Sequence, residues 1–514
     1  MVKLIKSITK SIEHGVKNDP EVKRLKDKHP KTVTFLQNRF TKDHKFGLYF
    51  TIGIAITLFF IYLFFGIVQD YIGQEKLVQF DLRVINLFSM LRHPKLTQQL
   101  LFITYLAKGE VIAIGVLVAS FIFVLFKKWR FFYTLLISVG GGELFVWIIK
   151  NILDRPRPPL TNALVAETSY SFPSGHTFVA IAFYGLLAYF VIQSEKNKFL
   201  KIISFIFAFL LIVLVGVSRI YLGAHWPSDV FASFAAGSAW LSIIITSLKI
   251  KKKFAPPQNI SLHIKKSTII ICSISSILIW LVFVFCFYFT HPLQNKKILP
   301  TVKTIIETKD IANKLFEKLP KVSESITSIP SEPINIIVVA DKNSLDSTFI
   351  NSGWYVLDGP SFKSYSRIIS SFLFKTSYPN PPGLPVFWDT KPNEIGYGKP
   401  TENNSVSARH HIHFWETSFI TSDGKSIFVG TAHFDQAIQK KFGIVLPFHS
   451  TELLVDKERE SIKSELETNG FLKSSEKINL TGLLYGSKKS SGNSFLTDGQ
   501  AYILYLTNDT KQKR

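Results

Sequence analysis

The sequence predicts an all-α polytopic membrane helical bundle, a six-helix core plus a seventh span, followed by an extramembrane α/β (α+β) domain. Three observations carry this. Apolar residues collect in blocks of about 17 to 25 within the first 290 positions, and at 1.5 Å per residue each block crosses roughly 30 Å of hydrocarbon. Clusters of Lys and Arg separate alternate blocks. After Pro292 the composition turns polar and rich in Ser, Thr and Asn, with short β-type runs. A soluble single-core enzyme is thereby excluded, although 47% apolar residues over 514 positions is an ordinary average.

Residues 1–46 carry 12 Lys or Arg and no apolar run before Phe46, which predicts a basic cytoplasmic tail and not a cleaved leader. Hydropathy then places spans near 47–69, 110–126, 131–149, 176–193, 202–218, 229–248 and 267–290. The amphipathic, charged stretch 81–107 reads as one or two helices at the outer surface. Basic clusters fall in the tail, at Lys127-Lys128-Trp129-Arg130, at Lys196 to Lys201, and at Lys249 to Lys253 with Lys265 and Lys266. The positive-inside rule assigns all four to the cytoplasm, so 70–109, 150–175, 219–228 and everything past 290 lie outside. Four regions result: the tail 1–46, a membrane domain 47–250, a basic linker with the seventh span 251–294, and an outer domain 295–514. Uninterrupted apolar helices favour a bacterial inner (plasma) membrane over an outer-membrane barrel.

The net charge of +23 divides as +7 for 1–46, +12 for 47–290 and +4 for 291–514. Basicity concentrated in the membrane part suits anionic lipid headgroups, and no motif for nucleic acid accompanies it. Cys272 and Cys286 share one apolar block, roughly 21 Å apart along a helix, so they do not bridge within it. In the outer domain Ile334 to Ala340 and Ile427 to Val429 read as strands. Helical periodicity appears near 301–319 and from Asp456 to Glu467, and Pro379 to Pro385 reads as a long loop.

Three motifs fall on the outer side. Lys150 is followed by Arg157-Pro158; Pro173-Ser174-Gly175-His176 opens the fourth span; Ser218-Arg219, His225 and Asp229 join the fifth to the sixth. A single cation at a membrane boundary is ordinarily a snorkelling anchor, but convergence of all these groups on one side suits a phosphate. Charge in phosphoryl transfer spreads over three equatorial oxygens, which fixed cations and N–H donors stabilise. Lys150, Arg157 and Arg219 supply the cations, Ser174 a hydroxyl, and the backbone at Gly175 and His176 a helix N-terminus. Of the two histidines, the nucleophile should be the one with an orienting carboxylate. That makes His225, four residues before Asp229, the nucleophile and His176 the general acid and base.

The order Lys150-x6-Arg157-Pro158, Pro173-Ser174-Gly175-His176, Ser218-Arg219-x5-His225-x3-Asp229 resembles the three-part signature of the type 2 phosphatidic acid phosphatase superfamily, over roughly residues 47–250. The resemblance implies a helical bundle, a reaction through a phosphohistidine without metal or other cofactor, and a site at the outer membrane boundary. The implied substrate is a membrane lipid phosphate: a polyprenyl pyrophosphate, phosphatidate or phosphatidylglycerol phosphate. Phosphotransfer to a lipid or sugar acceptor uses the same residues and stays open. In loop 70–109, Asp81, Arg83, Arg92 and Lys95 are candidates to meet a headgroup.

Farther on, Gly353-Trp354, Arg409-His410-His411-Ile412-His413-Phe414-Trp415, Val429 to Asp435, His449 and Asp456-Lys457-Glu458-Arg459 resemble the LssY-type C-terminal domain. This resemblance implies a boundary and no activity. If the domain lies outside, it is placed to screen substrates, deliver an acceptor or bind an envelope partner. A hairpin turning over Ser422-Asp423-Gly424 would set His413 opposite His433 and His411 opposite Asp435 on one face. A metal site, an anion site and ordinary hydrogen-bonded strand histidines all remain open for these four residues.

Overall fold

The computed structural model describes residues 19–41, 47–73, 76–159, 163–254, 266–293, 303–359, 361–383, 385–401, 408–441, 444–451, 454–488 and 493–507. Half of the basic tail and most of the basic linker before Lys266 lie outside them. The chain divides into two compact units, one drawn from Met1–Ile72, Thr97–Arg157 and Glu167–Leu293, the other from Gly73–Leu96, Pro158–Ala166 and Gln294–Arg514.

The first unit is a helical bundle. Among the described residues six helices are long and apolar enough to cross a membrane: Leu48–Ile72, Trp129–Leu153, Gly175–Ser194, Lys198–Tyr221, Pro227–Ile250 and Ser267–Thr290. The predicted span 110–126 is the 17-residue helix Gly109–Leu125, which joins Pro94–Tyr105 at a 48° bend to make a seventh candidate. The predicted surface stretch 81–107 is two helices, Lys76–Met90 and Pro94–Tyr105.

Lipid is as apolar as a leucine side chain, so the helices are held by close packing and polar contacts and not by the hydrophobic effect alone. Glycines mark the crossings: a Cβ on Gly142 would sit 2.8 Å from the Phe178 ring, and one on Gly237 2.8 Å from Ile181 Cδ1. Trp240 Nε1 donates to the Ser138 carbonyl at 2.9 Å, Ser138 Oγ to the Ala182 carbonyl at 3.0 Å, and Trp280 Nε1 to the Val111 carbonyl at 3.0 Å. The last bond attaches the seventh predicted span to the Gly109–Leu125 helix. One π-helical turn, Ile181–Gly185, interrupts the Gly175–Ser194 helix just inside its site-bearing end.

The second unit is built on a mixed nine-stranded sheet. Its strand order is Leu472–Asn479, Gln500–Leu506, Ile336–Ala340, Ser426–Lys441, Arg409–Thr421, Ile395–Pro400 and Tyr355–Val356, with Thr304–Ile306 and Ile444–Thr451 pairing at its sides. Period-two alternation separates two cores. Ile336, Val338, Ile412, Phe414 and Phe428 pack under the helices Lys342–Asn351 and Asp456–Thr468. Ile337, Val339, Trp415, Ile427 and Val429 face the other way, toward Ile311, Leu315 and Trp388.

The sequence reading assigned all of 47–250 to the membrane domain, but Gly73–Leu96 and Pro158–Ala166 group with the sheet unit. The reason is visible on the Lys76–Met90 helix. Buried Arg83 donates to both Glu324 carboxylate oxygens at 2.9 and 2.6 Å and to Ser328 Oγ at 2.6 Å, while Asn86 Nδ2 donates to the Thr390 carbonyl at 3.0 Å. Arg83 is therefore an internal ion-pair partner and not a headgroup contact, because its fork is already filled by a carboxylate.

Candidate active site

Lys150 sits in the last turn of the Trp129–Leu153 helix, which ends on left-handed Asp154. The chain then passes through Arg155-Pro156-Arg157 and returns along Ser169 to Ser174. Two bonds hold that loop closed: Ser171 N donates to the Arg155 carbonyl at 2.9 Å and Ser171 Oγ to the Pro156 carbonyl at 3.1 Å. Lys150 Nζ donates to Ser169 Oγ at 3.1 Å and to the Tyr170 carbonyl. Arg157 donates through Nε to the Ser169 carbonyl at 2.6 Å and through Nη1 to the Ala224 carbonyl at 2.6 Å. Two predicted cations thus donate to the same stretch, Ser169 and Tyr170.

His225 lies between the Lys198–Tyr221 and Pro227–Phe254 helices, with Pro227 opening the second of them. Its Nδ1 stands 3.3 Å from Asp229 Oδ2, and its Nε2 stands 3.3 Å from Arg157 Nη1. Asp229 is buried in the first helical turn and also accepts from Trp226 N at 2.9 Å. With Asp229 accepting from Nδ1, the lone pair of Nε2 faces the cation side, where an electrophilic phosphorus would arrive. Burial, then Arg157, Arg219 and Lys150, push the His225 imidazole well below its ordinary value, so it stands neutral.

Arg219 is buried at the end of its helix and donates from Nη1 to Thr104 Oγ1 at 3.1 Å and from Nη2 to Glu167 Oε1 at 2.6 Å. Although burial raises it, the Arg219 ion pair holds Glu167 below the usual carboxylate range. His176, on the first turn of the Gly175–Ser194 helix, lies within electrostatic reach of Arg219, Arg157, Lys150 and His225. Among the described residues no group hydrogen-bonds its buried Nε2. Buried Ser174 Oγ pairs with Thr177 Oγ1 at 3.0 Å, so its hydroxyl has a partner within its own turn. A Cβ on Gly175 would meet only Val146, at an ordinary 3.7 Å.

Arg155 and Glu167 were missed by the sequence reading. Arg155 Nη1 donates to Asp229 Oδ1 at 2.6 Å and to Ser228 Oγ at 2.7 Å, and its guanidinium lies over the Tyr71 ring at 4.7 Å. The carboxylate that orients His225 is thus itself clamped from behind. A signal existed for both: Arg155 belongs to an Arg-Pro-Arg-Pro repeat, and Glu167 is the only acidic residue between Asp154 and Glu195.

In the second unit, His411, His413, His433 and Asp435 all lie on one face of the sheet, but the pairing differs from the expected one. Near the turn Ser426 pairs Ile420, as a Ser422 to Gly424 turn requires; beyond it Phe428 pairs Glu416, His433 pairs His411, and His413 pairs Thr431. The register shifts because two extra residues bulge from the Arg409–Thr421 strand, where Thr417 Oγ1 accepts from Phe419 N at 3.2 Å and donates to the Ile427 carbonyl at 2.8 Å. An even shift leaves every side chain on its original face. Burial disfavours charge on His433, yet Glu332 and then Asp435 outweigh it and push its pKa up to about 10.

The PAP2 superfamily model matches residues 127–253, and the LssY C-terminus model matches 316–501. Phosphatidylglycerophosphatase B of Bacillus subtilis is 32% identical over 183 residues, which span 34% of this chain and 87% of that protein. Undecaprenyl-diphosphatase of Sulfolobus acidocaldarius is 25% identical over 197 residues, 37% of this chain and 89% of that one. The crystal structure of a transmembrane PAP2 type phosphatidylglycerolphosphate phosphatase from Bacillus subtilis aligns over 40% of this chain and 98% of its own, with 28% identity and a TM-score of 0.35.

Proposed function

From a multi-pass membrane chain that belongs to the PAP2 superfamily, we propose hydrolysis of a lipid phosphate or pyrophosphate through a phosphohistidine on His225, at the outward face of the membrane. The observation that carries the reading is the line Arg155, Asp229, His225, Arg157: a clamped carboxylate fixes one imidazole nitrogen and turns the other toward a cation.

The steps follow from that line. Lys150, Arg157 and Arg219 hold the phosphoryl oxygens while His225 Nε2 gives its lone pair to phosphorus and the bond to the lipid oxygen breaks. His176, protonated once the bound phosphate offsets the surrounding cations, passes its proton to that leaving oxygen. It then takes a proton from water as the water oxygen attacks phosphorus, the N–P bond breaks and inorganic phosphate leaves. Substrate candidates are a polyprenyl pyrophosphate, phosphatidate or phosphatidylglycerol phosphate. Sidedness rests on charge: Lys127 and Lys128 precede the helix that carries Lys150 at its far end, and Lys196 precedes and Lys198 begins the one that carries Arg219 at its far end.

Phosphate release by detergent-purified protein, measured with EDTA present across polyprenyl, glycerolipid and soluble phosphates, tests the reading. Release from one lipid class is expected. No release from any, followed by transfer once lipid or sugar acceptors are added, would replace hydrolysis with phosphotransfer.

Glu167 sets a second expectation. Its carboxylate occupies one side of the Arg219 fork, so it competes with a substrate phosphate for that guanidinium. Glu167→Gln is expected to lower KM by roughly three- to tenfold, about 0.7 to 1.4 kcal/mol, with kcat changed less than about twofold. A fall in kcat at constant KM would instead make Glu167 a positioning residue for Arg219.

A further inference from the structure

The proposed reaction draws the residues named above from the helical unit, and the sheet of the second unit holds a separate, dense cluster of metal-ligating side chains. We propose that His411, His413, His433 and Asp435 form a binding site for one divalent metal ion of the zinc class.

The four residues are buried, each 6% exposed or less, on two neighbouring strands that the register brings side by side. One ring nitrogen of each histidine lies within 4.8 Å of the others. Their ring centroids form a nearly equilateral triangle of 5.7, 5.8 and 6.0 Å. Three imidazoles bound to one tetrahedral ion at about 2 Å per nitrogen have centroids about 5 Å apart, so contraction by less than about 1 Å closes the site. Asp435 stands between two of the rings, Oδ2 being 3.6 Å from His411 Nδ1 and Oδ1 3.5 Å from His433 Nε2. It supplies the fourth ligand.

The surroundings have the form of a metal site's outer shell. On the far side of His433, Glu332 Oε2 lies 2.8 Å from Nδ1, and Thr431 Oγ1 donates to that same oxygen at 2.7 Å. A carboxylate on one imidazole nitrogen fixes the tautomer and leaves the other nitrogen for a metal. Gly396 and Gly398 pair directly with His413 and His411 on the adjacent strand. A Cβ on either glycine would come within 2.9 Å of the Leu357 side chain, so the two glycines admit Leu357 over the histidines and shield them from water. Two buried carboxylates beside three imidazoles suit a bound cation, and an N3O donor set suits zinc and its neighbours more than calcium or magnesium.

The test uses the full-length protein in detergent, purified through a tag that contains no histidine, dialysed against EDTA and then incubated with zinc chloride before elemental analysis. About one zinc per chain is expected in the wild type and below roughly 0.2 in His413→Ala/His433→Ala, with Co2+ giving tetrahedral ligand-field absorption in the wild type alone. Asp435→Asn, which keeps the volume, guards against loss of fold in the double variant. It is expected to elute as the wild type does and to bind zinc at least tenfold more weakly. Failure of the wild type to take up zinc, equal zinc in the variants, or stabilisation by inorganic phosphate without zinc uptake overturns the assignment.

Discussion

Replacing His225 by alanine is expected to reduce phosphate release by at least about 10⁴-fold, which is roughly 5.5 kcal/mol of barrier. The side chain is buried, with Nδ1 held at Asp229 and Nε2 facing Arg157. On the proposed mechanism, removing it deletes the nucleophile and leaves Lys150, Arg157 and Arg219 to bind a phosphate without any covalent route. Binding should survive that loss. His225→Ala is accordingly expected to elute from size exclusion as the wild type does and to keep affinity for a non-hydrolysable lipid phosphonate within about tenfold. Residual turnover within about tenfold of wild type, only some 1.4 kcal/mol, would mean that another group attacks phosphorus.

Asp229→Asn is expected to lower kcat by about 10² to 10⁴-fold with KM changed little, because the amide no longer fixes the His225 tautomer. The same substitution removes the negative charge that faces the buried Arg155 Nη1 at 2.6 Å. Leaving one partner of a buried pair alone costs about 3 to 5 kcal/mol, so the melting temperature should fall as well. The two effects separate by temperature: the catalytic loss persists at temperatures where the variant is fully folded. A loss of kcat below about tenfold under those conditions would assign Asp229 to stability alone.

How much of the site was legible follows from how far apart its parts lie along the chain. Lys150 and Arg157 are joined by one short turn, Ser174 to His176 open one helix, and Arg219, His225 and Asp229 span a single helix–helix connection, so each motif is readable as a word. Arg155 was passed over because a second arginine beside a signature arginine looks redundant. Only the fold turns Arg155 toward Asp229 and Arg157 toward His225. Glu167 was passed over because its partner is 52 residues away and nothing local links the two. Arg83 is one of several headgroup candidates in the sequence for the converse reason: a basic residue near a membrane is usually a headgroup contact, and its partner Glu324 is 241 residues distant.

By itself the sequence determined the class of the protein: an apolar helical bundle, an appended sheet domain, and three motifs that we propose hold a phosphate. Hydropathy sums over about 20 residues and each motif is short, so both signals survive without any knowledge of long-range contacts. The tertiary structure alone decided which strand residues meet. A bulge of two residues between Glu416 and Ile420 brought His411 opposite His433 and moved His413 onto Thr431. Strand alternation fixes the face a side chain occupies, and that much was readable. Register depends on where the ladder is interrupted, and there the hydrogen bonds of Thr417, to Phe419 N and to the Ile427 carbonyl, set it.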